Sequence, residues 1–480
     1  MFLYLSVLAV AIATSHIYKK STILLKPIMF INKILGTQEL PIQAQYYMKT
    51  FLYLSMIISF LGSLSNTFYV LFSIDHIGFA LTAVCTSIML ATQLLFDYPS
   101  GSLGDWIGQR WVLAIAFIFY GISFVFLISA HTMLDFALIA VINGFGNAQS
   151  SGAFATWVDN NYRVAVGDAD PDRKIYGFST SRVNSLNNFA LAASFLIGGT
   201  IATLISRRIV FTIQFGLTII IIFLILIYLR DIKTDTPVES SETGTSKISN
   251  YIKYLKGGIR FLFSSKAAFL FLIGNAIFNV TWMIWGGLVL FPLYFGYTGT
   301  DALAGLLRTS LFLAGIPLSF YIARVNKRIS NERLPIFLFL STILFFPSFI
   351  ILTTFMPPTN EFNLLGITLT FFLLWTIVGT VFSIAQTLIQ RIMIDLVPSD
   401  YRNSVYSLMP TIFSLIGIPV VPLAGIIIEK FGLASGIFTA SIVCVIGSVL
   451  ISFGVHFIYK PKIKPIERPL TDIQAIAYES

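Results

Sequence analysis

The chain has 480 residues, of which 56% are hydrophobic and only 11% charged, and its mean hydropathy is +0.83. A soluble domain carries roughly 25% charged residues, so these values exclude a water-soluble globular protein and place the chain in a bilayer. The net charge of +9 does not point to nucleic acid, because Lys and Arg form no stripe with interleaved aromatics and gather in the polar joins between apolar runs.

Residues 1–47 form an N-terminal extension. Its start, "MFLYLSVLAVAIATSHIY", is apolar, is followed by Lys19 and Lys20, and lacks the basic opening of a secretory signal. It reads either as an extra membrane helix or as a peripheral segment ahead of Met48, whose "MKTFLYLSMII" is a workable beginning. Twelve longer apolar runs follow, at about 51–73, 78–98, 112–130, 134–157, 180–205, 209–229, 267–294, 302–323, 335–355, 364–390, 404–427 and 434–458. They far exceed the ~9 to 11 residues of a barrel strand, and lipid leaves no partner for open backbone, so each predicts a helix.

The expected fold is therefore an all-α polytopic membrane protein with twelve transmembrane helices in two six-helix bundles, 48–229 and 267–458. A central loop, 230–266, joins them, and 459–480 forms a tail. Within the loop, "TPVESSETGTSKIS" has the composition of a flexible linker, and Ile248 to Arg260 reads as a helix lying on the membrane surface. Of the 31 Lys and Arg, all but Arg207, Arg208, Arg308 and Lys430 fall on one side of this map. That asymmetry predicts a cell-membrane protein with both ends of the twelve-helix unit in the cytoplasm.

The join after the second run is "DYPSGSLGDWIGQR", Asp97 to Arg110. Pro99, Gly101, Gly104 and Gly108 end helices and permit a tight turn. Asp105 and Arg110 are close enough there either to pair functionally or to form a solvated pair of little consequence. The same position in the second half holds "GIPLSFYIARVNKR", which sets Pro317 under Pro99 and Arg328 under Arg110. Gly315 and Ala323 stand where the first half has Asp97 and Asp105, so the acids act from the first half alone.

Gly101, Leu103, Asp105, Gly108 and Arg110 resemble the signature between the second and third helices of the major facilitator superfamily, Gly-x-Leu-Ala-Asp-Arg-x-Gly-Arg-Arg/Lys. Trp106 and Gln109 depart from its basic positions. The lead-in "DYPSG" and the string "SGAFATWVD", Ser151 to Asp159, are similar to segments of a drug-exporter-like branch. The resemblance implies two bundles rocking about a central cavity. It also implies a conformational latch in which Asp105 caps the helix opening at "YRNSVYSL" in one state, with Arg110 and Asp159 completing the charge cluster. Asp105→Asn is then expected to stop cycling while leaving the fold intact.

Ionisable side chains inside spans are costly and thus functional candidates. Asp97, with Gln93 one turn earlier, reads either as a proton-coupling carboxylate or as part of the latch. Arg308 reads as an attractor of anionic solute or as a side chain extending to the headgroups. Amides cluster as Asn143 with Asn147, as Asn184, Asn187 and Asn188, as Asn275, Asn279 and Trp282 on one face, and as Gln386 with Gln390. Each group either lines a cavity or joins helices.

Cys85 and Cys444 lie in apolar runs, the four His are scattered, and no nucleophile or nucleotide-loop motif occurs, so no enzyme, metal or cofactor is expected. The expected function is secondary active transport of a small-molecule substrate by a monomer. The first reading is proton-coupled antiport, an efflux of lipophilic compounds. The second is an uptake symporter or facilitator for a small metabolite, and a channel or membrane enzyme stands as the reading from another class.

Overall fold

The computed structural model describes residues 30–230, 259–326, 328–355, 364–397 and 399–459. They are helical almost throughout. The first set comprises α1 (Ile42–Ser63), α2 (Tyr69–Ile107), α3 (Gln109–Ser129), α4 (Met133–Ser150), α5 (Ala153–Val166), α6 (Lys174–Leu204) and α7 (Arg207–Tyr228). The second comprises α8 (Lys266–Ile284), α9 (Leu290–Thr298), α10 (Asp301–Asn326), α11 (Leu334–Phe355), α12 (Leu364–Leu396), α13 (Ser399–Phe431) and α14 (Leu433–Tyr459). Nine helical stretches among the described residues are long and apolar enough to cross a membrane.

Three expected boundaries are corrected. The first run, expected at 51–73, is helical from Ile42 and stops at Ser63. Apolar sequence continues beyond because Leu64 and Phe68, in the following turns, are buried in protein rather than exposed to lipid. The second helix does not end at residue 98. It runs through Pro99 and Gly101 to Ile107, and the chain turns at Gly108 alone, whose φ of 91° suits glycine. Proline removes one hydrogen bond, a loss that membrane helices tolerate when neighbouring groups satisfy the backbone. The fourth run, 134–157, is two helices, broken at Gly152 with φ 81°. The seventh, 267–294, is continuous from α8 into α9 through one π-helical turn, Trp285–Val289, containing Gly286 and Gly287.

The segment before residue 48 is partly integral to the fold. Leu35 and Leu40 are buried with Tyr47, Met48, Trp157 and Tyr162, and the Ser179 hydroxyl donates to the Leu35 carbonyl at 2.7 Å. The apolar stretch at 1–29 lies outside the described residues, as do both the linker and most of the expected surface helix in the central loop.

Helices before residue 230 pack mainly on one another: α2 on α4, α3 on α7 and α4, α1 on α6. Those after 259 do likewise, α8 and α11 on α14, and α10 and α11 on α12. In the α8·α14 crossing a Cβ on Gly274, Gly447 or Gly454 would lie within 2.8 Å of backbone on the facing helix. Small residues thus set that spacing, as is common between helices in lipid. The two sets meet along two seams, α6·α10 and α2·α13.

Candidate functional site: the two seams and the interior between them

Ser206 caps α7 by accepting from Ile209 N, which fixes Arg207 as the first residue of that helix. Its guanidinium grips Asp301 with two bonds, Nε to Oδ2 at 2.8 Å and Nη2 to Oδ1 at 3.0 Å. A third bond runs from Nη1 to Asp75 Oδ2 at 2.6 Å. Arg207 and Asp301 keep only 17% and 7% of their side-chain surface, whereas Asp75 keeps 57%. The rings of Phe68 and Phe295 flank the cation at 5.9 and 5.5 Å from its central carbon. Asp301 opens α10, where the helix dipole favours a carboxylate. A planar fork on a planar carboxylate, largely desolvated, is the strong form of an ion pair.

From this lock the α6·α10 seam closes further inward. Ala302 N donates to Thr203 Oγ1 at 2.9 Å, and the Thr309 hydroxyl donates to the Ala192 carbonyl at 2.8 Å. A Cβ on Gly199 would lie 2.3 Å from the Asp301 carbonyl oxygen, and one on Gly305 would lie 2.4 Å from that of Phe195. The backbones touch only because neither position carries a side chain.

The α2·α13 seam is held at the same face. Gly78, with φ 76°, breaks α2, so its continuation begins with backbone N–H groups lacking a helical partner. The carboxylate of Glu429, near the end of α13, accepts from Ala80 N at 2.7 Å. Deeper in, the Ser87 hydroxyl donates to the Ile418 carbonyl at 2.8 Å, and Ala83 is buried in the core of the second set.

The opposite face carries the Gly108 turn. Gly101, Leu103 and Asp105 are on the last turns of α2, but their side chains lie outside the described residues. Arg110 rests 5.1 Å over the Trp111 ring. Asp97 is exposed and accepts from the Ser151 hydroxyl across the α4–α5 break. Asp159 pairs with Arg163 at 3.0 Å and with Arg173. Sequence reasoning missed Asp170, which accepts from the Tyr162 hydroxyl at 2.8 Å and from the Tyr176 and Ile175 backbone at 2.9 and 3.2 Å. Burial raises its carboxyl, but these donors outweigh it and hold Asp170 below the ordinary range.

Between the faces, two of the predicted amides join helices, and a third bonds within its own helix. Asn147 accepts from the Tyr120 hydroxyl at 2.9 Å, and Asn187 from Ser55 at 3.2 Å. Asn279 donates to the carbonyl and side-chain oxygens of Asn275 at 2.7 and 2.9 Å, one turn from Trp282, which meets the edge of Phe382 at 4.3 Å. Gln93, Asn143, Asn188 and Gln386 are half-buried, while Asn184 and Gln390 are exposed. Arg308 is also half-buried and lies over Phe312 at 4.6 Å and Phe291 at 6.0 Å rather than extended to a headgroup.

The acids of the seams, Asp75, Asp301 and Glu429, were not singled out by sequence. One signal did exist. Arg207 stands on the cation-poor side at the mouth of a span, where a partly buried cation needs an anion, and these are acids on that same side.

The sequence profile of the Major Facilitator Superfamily matches residues 44–419 and 300–476. Among curated proteins no match is found. The fold is similar to a crystal structure of the nucleoside transporter NupG, with a TM-score of 0.63 at 15% identity over 87% of this chain and 100% of that one. A point mutant of NupG gives 0.64 at 14% identity over 85% and 100%. A POT family transporter in complex with 5-aminolevulinic acid gives 0.58 at 13% identity over 85% and 96%.

Proposed function

The chain belongs to the major facilitator superfamily and is a membrane transporter, not an enzyme; from that premise we propose that it carries a small polar solute by alternating access between two six-helix bundles, 48–229 and 267–458. One observation carries this reading. The Asp75–Arg207–Asp301 lock and the Glu429–Ala80 bond join the two helix sets at one face. With the cation-rich side in the cytoplasm, that face is external, and we read the conformer as closed to the outside.

The α2·α13 pair then has a carboxylate latch at each end. In this conformer Glu429 of α13 caps the start of the α2 segment after Gly78. In the opposite one Asp105 of α2 caps the start of α13. A carboxylate at a helix N-terminus contributes about 0.3 to 2 kcal/mol, enough to bias a two-state equilibrium up to about thirtyfold. Glu429→Gln is expected to favour the externally open state and Asp105→Asn the internally open one. Interspin distances across each face check this, and shifts of the same sign would sink the paired latch.

A small polar cargo suits an interior furnished with Asn279, Trp282, Phe382 and Arg308 better than a lipophilic one does. The similar folds named for a nucleoside and for 5-aminolevulinic acid support the same choice. Efflux of lipophilic compounds rests on the "DYPSG" and "SGAFATWVD" strings, and Asp97 is read here as a latch component rather than the proton carrier, since it sits exposed against Ser151 at the α4–α5 break. The test is reconstitution into liposomes with an imposed pH gradient and a panel of nucleosides, sugars, amino acids, organic acids and lipophilic dyes. Saturable movement of a polar solute is expected, with collapse of the gradient reporting proton coupling. Movement of dyes alone would replace the cargo proposed, and conduction at channel rates would remove alternating access.

A further inference from the structure

The guanidinium of Arg308 borders a cluster of three phenylalanine rings from three helices. It lies over the rings of Phe312 on α10 and Phe291 on α9. Phe195, from α6 of the other set, meets Phe312 at 5.2 Å and Phe291 at 6.4 Å, so the ring cluster spans the seam. Along α10, Asp301, Gly305, Arg308 and Phe312 follow at helical spacing on one face. Asp301 and Gly305 on that face contact α6 directly. Arg308 therefore stands about two turns inward of the outer lock, at the junction of both sets.

Three features of this place select a ligand. The cation is fixed, since an arginine stays protonated at every physiological pH. Aromatic rings lie beside it, Phe312 at 4.6 Å and Phe291 at 6.0 Å, and favour a planar, partly apolar body next to the cation. From Asp301 to Gly315 the charged residues of α10 are Asp301, engaged by Arg207, and Arg308, so the site offers one positive charge rather than the several a phosphate ester calls for.

We propose that Arg308 recognises the carboxylate of the cargo, which makes the transported solute a small, planar monocarboxylate. The inference rests on the carrier reading above and narrows its substrate class. A carboxylate bound at Arg308 touches α10 beneath the external lock, and the rings it lies beside are shared with α6. Binding is thus felt at the seam that must part for the carrier to turn over.

The experiment measures thermal stabilisation and uptake with the purified full chain. The probes are monocarboxylates from lactate to phenylacetate and 4-hydroxybenzoate, each beside its amide, with inorganic phosphate as a second anion. At least one acid should bind about tenfold or more tightly than its amide, the scale of a charge-assisted hydrogen bond, and phosphate should not compete. Arg308→Gln should abolish the acid-over-amide preference. Arg308→Lys should keep part of it, because the charge survives without the planar fork. Equal binding of every acid and amide by the unmutated chain, or a preference that survives in Arg308→Gln, would overturn the inference. If acids and their amides move at the same rate in the unmutated chain, the carboxylate assignment fails while the carrier stands; if the unmutated chain moves nothing, both fall.

Discussion

Replacing Asp301 by Ala is expected to open the face that Arg207 now closes. Arg207 keeps 17% of its side-chain surface and is held by two bonds to Asp301. Removing one partner of such a pair costs about 3 to 5 kcal/mol because the other charge is left desolvated. If the pair exists only in the closed state, that loss lowers the closed-to-open ratio by roughly a hundredfold to several thousandfold. Arg207→Ala should act in the same direction by less, since it leaves a carboxylate at a helix N-terminus that is partly satisfied there. Asp75→Asn should do little, because Asp75 is 57% exposed and an exposed pair contributes only about 0 to 1 kcal/mol. Nitroxides at Ile205 and Phe431, which are 69% and 74% exposed at the ends of α6 and α13, read the separation of the two sets by pulsed electron resonance. Cys85 and Cys444 are buried and do not compete for label. A longer interspin distance should dominate in Asp301→Ala. Unchanged distributions in both single mutants and the double mutant would show that the lock does not set the state.

Much of this architecture was legible because one term dominates in lipid. The runs at 112–130, 209–229 and 434–458 match α3, α7 and α14 closely, since a long apolar run there has no alternative to a helix. The first run failed for a definite reason. Hydropathy does not distinguish Phe68, buried against protein in a turn, from a residue facing acyl chains, and so the helix was displaced by about nine residues toward the C-terminus. Proline and glycine misled in the second join, where only Gly108 of four candidate breakers adopts a conformation that needs glycine. The α4–α5 break at Gly152 was hidden inside a single apolar run.

The site was legible on one face and hidden on the other. The Gly108 turn announces itself through a dense local motif. The Arg207 lock joins residues 75, 207 and 301, and Glu429 meets Ala80 across 349 positions. No local spacing encodes such contacts. Charge accounting by membrane side could have shortlisted them, but their pairing depends on which helices cross, which is a property of the fold.

The close approach of α6 and α10 yields the second large effect. Gly305→Ala places a methyl group 2.4 Å from the Phe195 carbonyl oxygen, and Gly199→Ala places one 2.3 Å from that of Asp301. Backbone atoms cannot swing aside as a side-chain tip can, and overpacking of this kind costs about 1 to 3 kcal/mol. Both contacts lie between the two helix sets, so parting the seam relieves them without disturbing either set internally. Gly198→Ala provides the contrast, because its methyl group would fall 1.8 Å from the Leu64 carbonyl oxygen within the first set, where opening the carrier gives no relief. Gly199→Ala and Gly305→Ala should therefore purify well, unfold near the temperature of the unmutated chain, favour the externally open state between Ile205 and Phe431 labels, and transport slowly. Gly198→Ala should lose yield and several degrees of thermal stability instead, on the order of 2–4 °C per kcal/mol at this domain size. Were Gly305→Ala to unfold as Gly198→Ala does, with no shift in the label distances, the α6·α10 contact would belong to the static core of the protein and not to a gate.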